Sequence, residues 1–207
     1  DESKKAFLFR LDYLNKHEVA ESSTDDTYFF KMEKDSVFID GGAYDGDTIR
    51  TLEKYNPRRI YAFEPDPQNF KRLLDNIRLP MNVIVYPFAL YNRSGKIGFN
   101  AKGNTHSLIG GSTKVWAVAI DDMVIPSRIT MLKLDIEGAE KEALIGARKT
   151  IRVDRPILAI CAYHRIDDLW DIPILINEIV PDYKLYLRGY NIEGWHGVCY
   201  GIPNESN

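Results

Sequence analysis

The stretch VFIDGGAYDGDT, residues 37–48, contains the pattern on which the fold depends. A short apolar run is followed by a turn with glycine at positions 41, 42 and 46, and TIRTLEKY (48–55) then has the spacing of a helix. A buried strand that passes through a glycine turn into a helix is typical of an open α/β sheet. The glycines let the backbone approach a ligand closely.

The same alternation continues along the chain. Further strands are predicted at RIYAFEP (59–65), NVIVYPFAL (82–90), TMLKLDI (130–136) and PILAICAYH (156–164), with KIGFN, KVWAVAI and a terminal pair, YKLYLRGY and GVCYGIP, as β-like segments. Helices are predicted from Asp66-Pro67 through FKRLLDNI, over EKEALIGARKTI (140–151) and over DDLWDIPILINEIV (167–180). The pattern predicts a mostly parallel sheet with helices on both faces and a ligand at the carboxyl ends of the strands.

The chain divides into two segments. Residues 1–34 are predicted to be a helical lead-in, because Phe7, Leu8, Leu11 and Leu14 recur at helical spacing. Residues 35–207 are predicted to form the ligand-binding domain. The chain starts without Met, so we expect it to be a fragment of a longer protein.

Composition limits the partners. A net charge of −3 over 207 residues gives no reason to expect a nucleic-acid or anionic-membrane partner. No apolar run approaches the roughly 18 residues that a membrane span needs. Cys161 and Cys199 lie in apolar, strand-like stretches and are predicted to be buried free thiols in a reducing compartment. We therefore expect a cytoplasmic protein.

The charges of the glycine turn indicate the kind of ligand. Asp40, Asp45 and Asp47 surround the turn, and no Lys or Arg follows until Arg50. Three carboxylates would repel a pyrophosphate, but they suit an ammonium or a sulfonium group, and S-adenosylmethionine has both. Glu64 ends the second strand roughly 20 residues further on, where an acid accepts hydrogen bonds from ribose hydroxyls.

Four segments in this order, VFIDGGAYDGDT, YAFEPDP, MLKLDIEGAEKEAL and AYHRIDDLWDIP, resemble the FkbM family of S-adenosylmethionine-dependent methyltransferases. The family pattern Asp-x-Gly-Ala-x-x-Gly is met by Asp40, Gly42, Ala43 and Gly46, although Tyr44 replaces the middle glycine of the wider class. The resemblance implies a Rossmann-like class I methyltransferase fold, a seven-stranded sheet with its last strand antiparallel. It also implies O-methylation.

Residues of the strand ends form the predicted cofactor site. They are Asp40, Gly41, Gly42, Ala43, Tyr44, Asp45, Thr48, Glu64, Pro65, Ala89 and Asp135. The predicted cofactor is S-adenosylmethionine.

Asp135, Glu137 and His164 are the predicted catalytic residues. A hydroxyl acceptor needs a base, and these side chains follow the fourth and fifth predicted strands. Two uses of the acids stay open at this point: a general base with supporting acids, or a divalent metal site formed by Asp135, Glu137 and Glu140. Glu137 and Glu140 can also have a purely structural role, in which they stabilise the N-terminus of the following helix through its dipole.

The leading hypothesis is a methyltransferase for a hydroxyl of a small molecule or a carbohydrate. A protein that binds S-adenosylmethionine without turnover is the alternative. A nicotinamide-dependent oxidoreductase is disfavoured by the acidic turn and by the absence of a hydride-chemistry pair such as Tyr-x-x-x-Lys.

Overall fold

A computed structural model describes residues 33–77, 81–103, 108–190 and 196–204, so the predicted helical lead-in lies almost wholly outside the described residues. The strands are β1 (Val37–Gly41), β2 (Arg59–Phe63), β3 (Val83–Tyr86), β4 (Phe88–Leu90), β5 (Gly95–Asn100), β6 (Leu108–Ile109), β7 (Thr113–Val118), β8 (Met131–Leu134), β9 (Ile157–Cys161), β10 (Lys184–Tyr190) and β11 (His196–Ile202). The helices are α1 (Asp47–Leu52), α2 (Pro67–Asn76), α3 (Glu140–Ile145), α4 (Arg148–Asp154) and α5 (Asp168–Ile179).

A seven-stranded sheet with the order β10-β11-β9-β8-β1-β2-β3 forms the centre of the molecule. The pairs of β1 with β2 and β8, of β2 with β3 and of β8 with β9 are parallel. The last strand, β11, runs antiparallel between β9 and β10. The predicted fold class, with its antiparallel last strand, is confirmed.

Both faces of this sheet are covered, as the apolar strands predict. Val37 and Ile39 pack with residues of α3, α4 and α5 on one face, such as Leu144. Phe38 points the other way and packs with Ile49 of α1 and Leu73 of α2. Because successive side chains of a strand point to opposite faces, one short run of β1 serves both cores.

A second sheet corrects the strand predicted at 82–90. The chain divides at Pro87: β3 forms the edge of the large sheet, whereas β4 joins a four-stranded sheet with the order β4-β7-β5-β6. Proline has no N–H to donate to a ladder, so a strand readily ends there. The small sheet has its own core around Ile97, Phe99 and Val115.

The helix predicted over 140–151 is also corrected, because it is two helices. Gly146 separates α3 from α4, and its carbonyl accepts a hydrogen bond from the Asp121 N–H at 2.8 Å. A Cβ at position 146 would lie 2.1 Å from the carbonyl oxygen of Tyr91. This close backbone contact explains both the glycine and the break.

Two other expectations can be compared with the structure. Cys161 and Cys199 are buried free thiols, as predicted. None of the helices in the described part of the chain has both the length and the apolar character needed to cross a membrane.

Candidate functional site: a cleft at the carboxyl ends of the strands

The glycine turn packs directly on the end of β8. The N–H groups of Gly42 and Ala43 both donate to the Phe63 carbonyl at 3.0 Å. Gly42 has φ +78°, and a Cβ there would lie 1.9 Å from the carbonyl oxygen of Asp135. Only glycine satisfies both conditions, so the turn is held against the strand that carries the predicted catalytic acids.

Lys133, which was not predicted as a site residue, is buried beneath the turn. The Nζ of Lys133 lies 2.8 Å from Oδ1 of Asp40 and 3.1 Å from the Gly42 carbonyl oxygen. Burial by itself lowers the pKa of Lys133, but the charges of Asp40 and Asp135 outweigh it and raise that pKa. A charged residue in the middle of the apolar strand TMLKLDI was the available signal, since buried lysines are almost always paired.

The pairing of Lys133 changes the interpretation of the acidic turn. Asp40 is ion-paired below the turn, and Asp45 pairs with Arg50 at 3.2 Å. Of the three turn acids, Asp47 faces the cleft. The acids that give the cleft its charge are therefore contributed by several strand ends, not by the turn alone.

Glu64 connects the turn to the second strand end. Its Oε2 accepts a hydrogen bond from the Tyr44 N–H at 3.0 Å, and its Oε1 accepts one from the Asp66 N–H at 2.9 Å. Burial raises the pKa of Glu64 to about 7, against the hydrogen bonds that lower it. Asp66 caps α2 through the N–H groups of Gln68 and Asn69, as the Asp-Pro pair predicts.

Three carboxylates surround His164 on the other side of the cleft. The imidazole Nδ1 lies 2.9 Å from Oε1 of Glu140, and Nε2 lies 3.4 Å from Oδ1 of Asp135 and 3.6 Å from Oε1 of Glu137. The hydroxyl of Tyr163 donates to Oδ1 of Asp135 at 3.1 Å. Burial alone lowers the pKa of His164, but the close carboxylates of Glu137 and Glu140 outweigh it and raise that pKa to about 10.

The backbone between β8 and α3 brings these acids together. Glu137 and Gly138 have φ of +56° and +91°, so the chain reverses tightly there. The wholly buried Glu140 then turns back, and its Oε1 accepts a hydrogen bond from the Ile136 N–H at 2.8 Å. Glu140 therefore stabilises this loop and also fixes the orientation of the His164 ring.

One open cleft joins the two regions. Its cavity volume is about 130 Å³, and the cleft widens into open solvent. Eight of the predicted site residues line it: Gly42, Tyr44, Thr48, Glu64, Pro65, Ala89, Asp135 and Glu137. The remaining predicted residues, Asp40, Gly41, Ala43, Asp45, Glu140 and His164, do not line it.

An apolar part of the cleft was not predicted. Phe63 and Phe88 contribute to it, as do Phe99 and Ile109 from the small sheet. Phe63 stacks on Tyr86 with ring centroids 5.1 Å apart. The sequence offers no signal for these contacts, because they depend on how the small sheet packs against the large one.

Comparisons with known proteins identify the family of the chain. The family model described as "Methyltransferase FkbM domain" matches residues 40–190. The chain is 32% identical over 157 residues to the hexuronic acid methyltransferase AglP of Haloferax volcanii. The aligned region covers 72% of this chain and 64% of that protein. It is 22% identical over 157 residues to the 2-O-methyltransferase NoeI of Sinorhizobium fredii, covering 60% of this chain and 63% of that protein.

A solved structure supports the same assignment. The crystal structure of methyltransferase FkbM from Methylobacillus flagellatus superimposes with a TM-score of 0.71 at 27% identity, covering 84% of this chain and 45% of that one. The match thus spans less than two thirds of the length of each of these relatives. The family match covers well over half of the chain, which confirms the predicted resemblance: the chain belongs to the FkbM methyltransferase family.

Proposed function

We propose that this protein transfers a methyl group from S-adenosylmethionine to a hydroxyl group of a small molecule or a carbohydrate. One observation carries the proposal: Glu64, which we assign to the ribose, lines the same cleft as Asp135 and Glu137. The names of two relatives, the hexuronic acid methyltransferase AglP and the 2-O-methyltransferase NoeI, support a carbohydrate acceptor and methylation at an oxygen atom.

The residues of the cleft fit S-adenosylmethionine. Glu64 is placed to accept hydrogen bonds from ribose hydroxyls, and the apolar wall beside it, with Phe63 and Ala89, suits an adenine ring. Gly42 lets the turn pack against the Asp135 backbone and lines the cleft at that point. Asp47 and Asp135 give this end of the cleft the negative charge that a sulfonium and an ammonium group require.

Proposed roles in the transfer follow from position. S-adenosylmethionine supplies an electrophilic methyl group on a sulfonium when it is bound. Asp135 and Glu137 line the cleft and are placed to orient the acceptor hydroxyl and to take its proton at a carboxylate oxygen as the new C–O bond forms. His164 lies behind them and is 8% exposed, so a positioning role suits it better than direct contact with the acceptor.

Calorimetric titration with S-adenosylhomocysteine tests the cofactor. We expect binding by the wild-type protein, and binding at least about tenfold weaker in Asp47→Asn and Glu64→Gln, because each removes a charged group of the cleft. Asp75→Asn is the matched control, since Asp75 is an exposed helix acid paired with Lys71. No binding by folded wild-type protein, or equal binding by all variants, would contradict the proposal.

Turnover separates an enzyme from a protein that only binds. We expect radiolabelled methyl groups to pass from S-adenosylmethionine to uronic acid glycosides or neutral glycosides, and Glu137→Gln to remove this transfer. Tight binding of S-adenosylhomocysteine without transfer to any member of a broad acceptor panel would favour the binding protein instead.

A further inference from the structure

We propose that His164, Asp135 and Glu137 bind a divalent first-row transition-metal ion, with Mn²⁺ as the probe ion, at the acceptor side of the cleft. The use of the ion in catalysis rests on the proposed function, whereas its binding does not.

The distances around His164 fit shared ligands better than hydrogen bonds. Its Nε2 lies 3.4 Å from Oδ1 of Asp135 and 3.6 Å from Oε1 of Glu137, whereas N–H···O bonds are about 2.7–3.2 Å long. Two ligands about 2.1 Å from one ion lie about 3.0 Å apart at a right angle and about 3.4 Å at the tetrahedral angle. A small inward movement of the two carboxylates would complete such a site.

His164 points into this cluster without a hydrogen-bond partner for Nε2. Its side chain is 8% exposed, and within the described ranges Nε2 is one of the buried polar atoms that make no hydrogen bond. A buried ring nitrogen between two carboxylates is stable only with a proton or a metal ion on it. Donor atoms of Asp135, Glu140 and His164 lie within 4.8 Å of one another, and Glu137 lies 3.6 Å from Nε2 of the same ring, so the carboxylates converge on His164.

Glu140 supplies the support that a metal-binding histidine needs. Its Oε1 lies 2.9 Å from Nδ1 of His164 and also accepts the Ile136 N–H, and its side chain is wholly buried. With the proton on Nδ1 shared with this carboxylate, a metal ion would replace the proton on Nε2, which faces Asp135 and Glu137. Metal-binding histidines almost always have such a partner on the far ring nitrogen.

Charge and access favour the same assignment. Three carboxylates surround a single imidazole, and the nearby Lys133 ammonium is committed to Asp40 at 2.8 Å. Asp135 and Glu137 line the cleft, so an ion could enter from it. One imidazole with two carboxylates suits Mn²⁺, Co²⁺ or Zn²⁺ better than Mg²⁺ or Ca²⁺. An acceptor hydroxyl that joined these ligands would ionise more readily.

Mn²⁺ binding to the whole chain tests the proposal. Protein freed of metal with EDTA is titrated with Mn²⁺, and free Mn²⁺ is followed by its electron paramagnetic resonance signal. We expect one ion per chain, and affinity at least tenfold weaker in Asp135→Asn and in His164→Phe. Asp171→Asn is the matched control, because Asp171 is a half-exposed acid paired with Lys141.

Each outcome decides the proposal. No stoichiometric uptake of Mn²⁺, Co²⁺ or Zn²⁺ by folded wild-type protein would overturn it, as would equal uptake by wild type and Asp135→Asn. Circular dichroism shows whether each variant is folded. S-adenosylhomocysteine binding to the EDTA-treated protein is measured in parallel, so that a failure of the metal site is not mistaken for a failure of the proposed methyl transfer.

Discussion

The buried acids on the two sides of the cleft have different partners. On the glycine-turn side, Asp40 is paired with Lys133 and Glu64 accepts two backbone N–H groups. On the His164 side, three carboxylates meet one imidazole. Each side has a buried carboxylate oxygen without a hydrogen-bond partner among the described residues, Oδ2 of Asp40 on the first and Oε2 of Glu140 on the second. The first side therefore balances its buried charge with a lysine and backbone N–H groups, whereas the second sets three carboxylates against one imidazole.

Removal of Lys133 should have the largest effect. Lys133→Met leaves the Asp40 carboxylate buried without its partner, and we expect the free energy of unfolding to fall by about 3–5 kcal/mol. Urea denaturation followed by circular dichroism measures this. Lys71→Met, which removes an exposed pair, is the control and should have almost no effect.

A double variant sharpens this prediction. Asp40→Asn combined with Lys133→Met should recover part of the lost stability, since it removes the unpaired charge. If Lys133→Met alone is as stable as wild type, the glycine-turn side does not depend on the buried pair, and the contrast between the two sides fails.

Glu137→Gln should reduce turnover but leave cofactor binding almost unchanged, which would show that the two sides of the cleft have different functions. We expect turnover to fall by about 10²–10⁴-fold, the range for loss of a general base, while affinity for S-adenosylhomocysteine changes less than about threefold. Initial rates with the acceptor found in the transfer assay, and calorimetry, measure the two quantities. An equal loss of cofactor binding would show that the acids serve the cofactor and not the acceptor.

Gly42→Ala should damage the contact between the two sides. The new Cβ would lie 1.9 Å from the Asp135 carbonyl oxygen at φ +78°, so we expect a loss of about 2–4 kcal/mol in stability together with weaker cofactor binding. Gly95→Ala is the matched control: it has φ +141° and nothing within 4 Å, so it reports conformational strain alone. Equal effects at the two positions would remove the packing explanation.

The smallest effect concerns pH. The pKa of Glu64 is about 7, and its ionised form is the one that accepts hydrogen bonds from ribose. Affinity for S-adenosylhomocysteine should therefore be lost as the pH falls through 7, by about tenfold between pH 8 and pH 6. Calorimetry at both values measures this change, and Glu64→Gln should show little of it. A wild-type affinity independent of pH would show that the carboxyl does not bind the ribose as a charged acceptor.

Local signals predicted much of the fold. The turn after VFID, the Asp66-Pro67 start of α2 and the two terminal strands all depend on residues close in the chain, and the structure has them where they were predicted. The predictions of one strand at 82–90 and one helix at 140–151 were wrong, because each segment forms two elements. Pro87 and Gly146 divide them, and contacts with distant backbone decide where each piece goes.

The sequence by itself determined the alternation of strands and helices, the cleft at the carboxyl ends of the strands and the family, because hydrophobic period, caps and glycine turns act over a few residues. Only the tertiary structure decided which acids face the cleft. Asp40 and Lys133 are 93 residues apart, and Glu140 and His164 are 24 apart. Their pairing depends on which strands lie side by side, and no local pattern carries that information.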